Sequence, residues 1–135
     1  MLDDKWQTAS LRITSDKLDS SEITNILGQV PTCSCKKGEL MSPRNPKSQR
    51  HEENKWILES GLDDTIIYEE HIEYLLSFVE TKINEIMQLK EQCFIEIICA
   101  LSINGNQASF DLTPEIIKRL SAVPLGIIFD IYVNE

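Results

Sequence analysis

Hydrophobic and polar positions alternate from Trp6 to Thr14. Ala9, Leu11 and Ile13 fall on one side and Trp6, Thr8, Ser10 and Arg12 on the other, the period-two pattern of a strand with one buried face. The period then changes. Asp19 with Glu22 three residues on predicts a capped helix start, Ile23, Ile26 and Leu27 form its apolar stripe, and Gly28 is placed to end it. Lys55 to Ser60 reads as a second strand stopped by Gly61. From Glu69 to about Lys90, Ile72, Leu75, Leu76, Val79, Ile83 and Ile86 recur at helical spacing and predict one long amphipathic helix. In the next strand Cys93, Ile95, Ile97, Cys99, Leu101 and Ile103 share one parity, and Asn104-Gly105 signals a hairpin returning through Ala108 to Leu112. Thr113 caps a further helix with Pro114 at its first position. The last strand, Leu125 to Val133, turns Ile127, Phe129, Ile131 and Val133 inward and Ile128, Asp130 and Tyr132 outward.

The predicted order is β-α-β-α-β-β-α-β, an α+β fold with a mainly antiparallel sheet. Three helices do not readily cover both faces of five strands, so they are expected on one face, leaving the other open. A phrase supports the pattern: Glu22 to Pro31 and Glu115 to Pro124 match at five of ten positions, 93 residues apart. Each follows a short apolar strand ending in threonine and exits at a proline. A strand-helix-strand unit written twice suggests a relationship to ferredoxin-like folds, although an acid in the first turn and spaced aliphatics are common to any short amphipathic helix.

Residues 1–135 are the length of a single domain. No apolar run approaches the roughly 18 residues of a membrane span, and Met1 to Lys5 lack the start of a signal peptide, so a cytoplasmic location is expected. Four cysteines are then expected as reduced thiols. The net charge of −9 argues against nucleic acid or anionic membrane as partner. Between Pro31 and Asn54 lies a long loop with three prolines and few large aliphatics, and from Lys36 to Arg50 it sets Lys36, Lys37, Arg44, Lys47 and Arg50 against the single Glu39, so that stretch is locally basic. Such a loop is usually mobile or functional.

The outward parity assembles Trp6, Arg12, Glu59, Glu96, Asp130 and Tyr132 on the open face, where aromatic rings among charges of both signs resemble a recognition surface. The leading expectation is a non-enzymatic protein-binding module using that face, with a basic protein as partner; an immunity-like protein that neutralises a toxin is one version. A rival is a small enzyme or ligand sensor with a cleft between the 31–54 loop and the sheet, His71 with Glu70 or Glu59 serving as acid and base. No motif supplies a nucleophile, and a histidine at a helix-sheet seam is more often structural. A third reading is a structural homodimer. Cys33 and Cys35 with His51 make a poor zinc template, since one residue intervenes where two to four are usual and a fourth ligand is missing, so neither metal nor cofactor is expected. Cys93 and Cys99 read as apolar members of the central strand.

Several strings together carry a likeness to a known family: Leu11 to Asp16, Leu27-Gly28 to Pro31-Thr32, the turn Lys37-Gly38-Glu39, Trp56 to Gly61, His71-Ile72 with Leu75-Leu76, and Asp130-Ile131-Tyr132. In order and spacing the chain resembles the bacterial domain-of-unknown-function family 4279 over nearly its whole length. The resemblance implies a small bacterial protein and no assigned activity or cofactor. It departs from the family pattern where an aromatic often precedes the Lys-Gly turn, because Cys33-Ser34-Cys35 stands there instead.

Overall fold

The computed structural model describes residues 5–105 and 107–134. Met1 to Asp4, read above for an export signal, lie outside the described residues. The elements run β1 (Gln7–Ser15), α1 (Ser20–Leu27), β2 (Cys33–Cys35), β3 (Asn54–Glu59), α2 (Tyr68–Thr81), α3 (Ile83–Leu89), β4 (Phe94–Asn104), α4 (Pro114–Ala122) and β5 (Gly126–Asn134). The strands form one open mixed sheet in the order β2-β3-β1-β4-β5. Every junction is antiparallel except β4 with β5. This is the α+β architecture expected from the hydrophobic pattern.

The alternation along β1 produces the two-sided sheet. Ala9, Leu11 and Ile13 are buried, while Ser10, Arg12 and Thr14 between them keep access to solvent. Directly opposed residues of neighbouring strands share a face, so the register carries the same division outward: Leu11 lies beside Leu58 and Ile97, and Arg12 beside Ile57 and Glu96. The inner face meets Ile72, Leu75, Leu76 and Val79 of α2, Ile23 and Leu27 of α1, Ile86 and Leu89 of α3, and Ile116 and Leu120 of α4 in one core. At roughly 25 cal/mol per Å² of apolar surface, each such aliphatic side chain contributes about 1.5–3 kcal/mol.

The first helix starts as its sequence predicts. The Asp19 carboxylate accepts the Glu22 N–H at 2.9 Å and the Glu22 side chain accepts the Asp19 N–H, closing the capping box. Gly28 ends the helix at φ 67°, a left-handed conformation in which a side chain would be strained. Thr113 caps α4 through the Ile116 N–H. The repeated phrase thus marks two real helices in different settings: α1 leads to the edge strand β2, which is not a neighbour of β1, whereas α4 links the parallel pair β4 and β5.

Three details depart from the predicted pattern. Ala108 to Leu112 form no strand. Both sides of β4 are already occupied, by β1 and β5, and the Tyr68 hydroxyl takes the Asp111 N–H at 2.9 Å while donating to the Asp111 carbonyl at 2.8 Å. Phe110 packs with Tyr68 and Phe129, so this segment seals the core from the side. The fifth strand comes instead from Cys33 to Cys35, inside the long 31–54 loop, where no strand was expected. That loop is tied down: Asn54 accepts the Lys37 N–H at 2.8 Å and donates to the Leu18 carbonyl at 3.0 Å, and Arg50 donates to the Gly38 carbonyl at 2.7 Å. The long helix, finally, is two. Lys82 leaves helical geometry at φ −119°, and α3 turns toward α1, burying Ile86 and Leu89 while Ile83 is exposed.

Trp56 is fully buried on the inner face of β3, with its indole N–H donating to the Thr24 hydroxyl of α1 at 3.1 Å. Trp56→Ala is expected to lower the unfolding free energy by about 3–5 kcal/mol in urea denaturation. Trp56→Phe, which keeps a ring but loses the hydrogen bond, is expected to cost about 1 kcal/mol beyond any repacking. A Trp56→Phe variant as stable as the wild type would show that the indole N–H contributes nothing separable.

Candidate functional site

The face away from the helices is crossed by side-chain rows that the register defines. One row runs Trp6, Ser102, Tyr132. Ser102 donates its N–H to the Trp6 carbonyl at 2.9 Å, and its hydroxyl accepts the Trp6 N–H at 2.7 Å. Its small side chain leaves space above it, and the Trp6 and Tyr132 rings meet there with centroids 5.3 Å apart at 45°. A second row runs Cys33, Ile57, Arg12, Glu96, Gly126. Between them lie Glu59, Ser10, Ile98 and Ile128, then Thr8, Ala100 and Asp130. All six residues expected on the open face therefore share it. Trp6 touches Tyr132 and Arg12 touches Glu96; Glu59 and Asp130 stand apart, on opposite sides of the central strands.

Arg12 and Glu96 form the polar centre. The guanidinium donates from Nη2 to Glu96 Oε1 at 2.5 Å, and Glu96 is 7% exposed even though it faces away from the core. Gly126 lies beside it, where a Cβ would stand in ordinary contact at 3.7 Å from the Glu96 Cβ and 4.0 Å from its Oε2. Glu59 and Asp130 make no ion pair among the described residues.

Sequence reasoning did not place Cys33, Cys35 and Lys55 on this surface. They join it because β2 pairs with β3, setting Cys33 beside Ile57 and Cys35 beside Lys55. The alternation Cys-Ser-Cys was the available signal, too short to stand out inside a polar loop. Burial, reinforced by the nearby Glu59 carboxylate and the Cys35 thiol, raises the Cys33 pKa, the opposite of what an activated nucleophile requires. Cys35 and His51 line one cavity of about 270 Å³ beneath the loop, which Cys33 does not line. No group of three or more His, Cys, Asp or Glu among the described residues is placed to hold a metal.

His71 is fully buried in α2. Its Nε2–H donates to the Ile66 carbonyl at 3.1 Å, and Nδ1 pairs with the Ser60 hydroxyl at 2.6 Å. Both nitrogens thus brace the connection between β3 and α2. Glu70 beside it in sequence is exposed, and Glu59 points to the other side of the sheet, so the expected acid/base set is not brought together. The cleft between loop and domain, about 290 Å³, is lined by Asp19, Lys36, Glu39 and Asn54 and not by His71. No helix among the described residues is long and apolar enough to cross a membrane.

Cys99, at the core side of β4, has its pKa pushed by burial from an ordinary 9.0 up to about 12. An acid with a raised folded pKa favours the folded state while the thiol stays protonated. That contribution is complete below about pH 9 and is lost as pH rises toward 12, because the unfolded thiol ionises first. Cys99→Ala is expected to flatten the fall in stability between these values, followed by urea unfolding at a series of pH. In the native protein at neutral pH a thiol reagent should label exposed Cys33 and spare Cys99 until urea is added; rapid native labelling of Cys99 would contradict its burial.

No curated protein and no solved structure matches the chain. Residues 4–134 match the family described as Domain of unknown function (DUF4279). The match spans almost the full sequence and includes every strand and helix described above, so the chain belongs to the DUF4279 family.

Proposed function

We propose that this protein is a protein-binding module and that the open sheet face is its recognition surface. The observation that carries the reading is the row Trp6, Ser102, Tyr132. Two large aromatic rings are held together on a rigid sheet, on the same face as the Arg12–Glu96 ion pair, with no described segment over them. Aromatic and arginine side chains on a fixed scaffold lose little rotamer freedom on binding and dominate interface energetics. The partner that fits is a protein surface with an apolar centre and basic groups placed to meet Glu59 and Asp130, whose carboxylates lack cations of their own among the described residues. An immunity-like role, the masking of a basic toxin surface, is one form of this reading.

The test is affinity capture from a native host with immobilised wild-type protein, repeated with variants of each face. Trp6→Ala and Tyr132→Ala are each expected to weaken capture of the same partner by about 30-fold, equivalent to about 2 kcal/mol. Glu59→Lys should weaken it further in low salt than in high salt. Glu85→Ala, on the helix side, should leave it unchanged. A partner whose capture ignores the open-face variants but is lost with helix-face substitutions would refute the assignment.

A further inference from the structure

The two edges of the sheet are finished differently. On one side β2 is three residues long and runs directly into Lys36 and Lys37, a short and charged edge of the kind that discourages further pairing. On the other, β5 is nine residues long and contains neither proline nor lysine. Its one charged residue is Asp130. Among the described residues no strand pairs with its outer side. Its side chains are exposed on both faces: Ile131 at 45% and Val133 at 58% on the helix side, Tyr132 at 53% on the open side. The helix layer stops short of them, although their inward parity would place them in a core.

We propose that the outer edge of β5 pairs antiparallel with β5 of a second copy, about a two-fold axis at Ile131, joining two sheets into one. The order of side chains favours this occupant and this register. With the axis at Ile131, residues 128–134 of one copy run beside 134–128 of the other. Ile131 then meets its own counterpart, Phe129 meets Val133, and Asp130 meets Tyr132, each pair on one face. Asp130 gains the tyrosine hydroxyl as a hydrogen-bond donor, and the Trp6–Tyr132 pair is carried to the seam from both sides. An axis one residue earlier would set Asp130 against Asp130 and is disfavoured by like charge. A two-fold axis perpendicular to the sheet keeps both helix layers on one side and both open faces on the other. The contact is isologous: one strand supplies both halves of it and closes at two copies. This pairing does not rest on the proposed binding role, because its hydrogen bonds run along the strand edge and Trp6 takes no part in it.

Light scattering on a sizing column, over a roughly hundredfold range of protein concentration, should give twice the mass of the chain at the upper end. Ile131→Lys places two like charges at the axis, and Tyr132→Asp sets two carboxylates side by side. Each is expected to raise the dimer dissociation constant at least tenfold with an unchanged far-ultraviolet circular dichroism spectrum. Tyr132→Lys, which offers Asp130 of the other copy an ammonium group, should remain dimeric, and this separates the proposed register from simple loss of the tyrosine. A monomer throughout the range would overturn the proposal, as would a dimer indifferent to both disruptive variants, or a monomer that instead accepts an extended peptide along β5. Trp6→Ala should leave the dimer intact, so failure of the binding role and failure of the pairing are read independently.

Discussion

The period of two along β1 is the constraint on which the rest of this structure depends. β1 is the middle strand of five, paired on both sides, so its division into a buried and an accessible parity passes through the ladders to β3 and β4 and on to β5. A slip of one residue in either ladder would send Arg12 or Ser10 into the helix layer and expel Leu11, losing apolar burial and desolvating a guanidinium together. Core and candidate surface are therefore two consequences of one alternation. A substitution that disturbs Leu11 acts on both.

What was legible in the sequence follows from that. Parity is a local property, and β1, β3, β4 and β5 each display it within a few residues, so the assembly of Trp6, Arg12, Glu59, Glu96, Asp130 and Tyr132 on one face could be read before any coordinates. Helix starts were equally plain, because a cap is a contact between near neighbours, as at Asp19 with Glu22 and at Thr113 with Ile116. The features that escaped are set by distant partners. Cys33 to Cys35 become a strand only because β3 offers an unpaired edge, and Ala108 to Leu112 fail to become one because β5 takes the place beside β4. The break at Lys82 is of the same kind: Ile83 continues the stripe of α2 perfectly well, but packing against α1 turns α3 and places Ile86 and Leu89 inside.

The ion pair at the middle of the open face is not explained by stability. Desolvating two charges in a partly buried setting such as this offsets much of the Coulomb gain, and apolar residues of similar volume often serve as well. What the pair adds is discrimination. A two-residue slip between β1 and β4 preserves parity and keeps the core side apolar, but it places Arg12 opposite Phe94 or Ile98 and leaves Glu96 buried without its cation. The inner face, where one aliphatic resembles another, penalises that slip weakly. The pair on the outer face penalises it strongly and so helps to select the register that also brings Ser102 between Trp6 and Tyr132.

Charge is divided between the two sides of the sheet in a way that matters for association. The acids of α2, α3 and α4, among them Glu70, Glu73, Glu80, Glu85 and Glu115, lie on the helix layer, where Arg119 gathers Glu73 and Glu80 into a surface cluster and holds the Glu80 pKa below its ordinary value. The open face carries Arg12 and Lys55 against Glu59, Glu96 and Asp130, close to neutrality despite a chain charge of −9. On the proposed binding role, a partner approaching the open face meets aromatic and aliphatic groups with few net charges to desolvate. Its orientation would be fixed by Glu59 and Asp130, the two carboxylates there that the described residues leave without a cation.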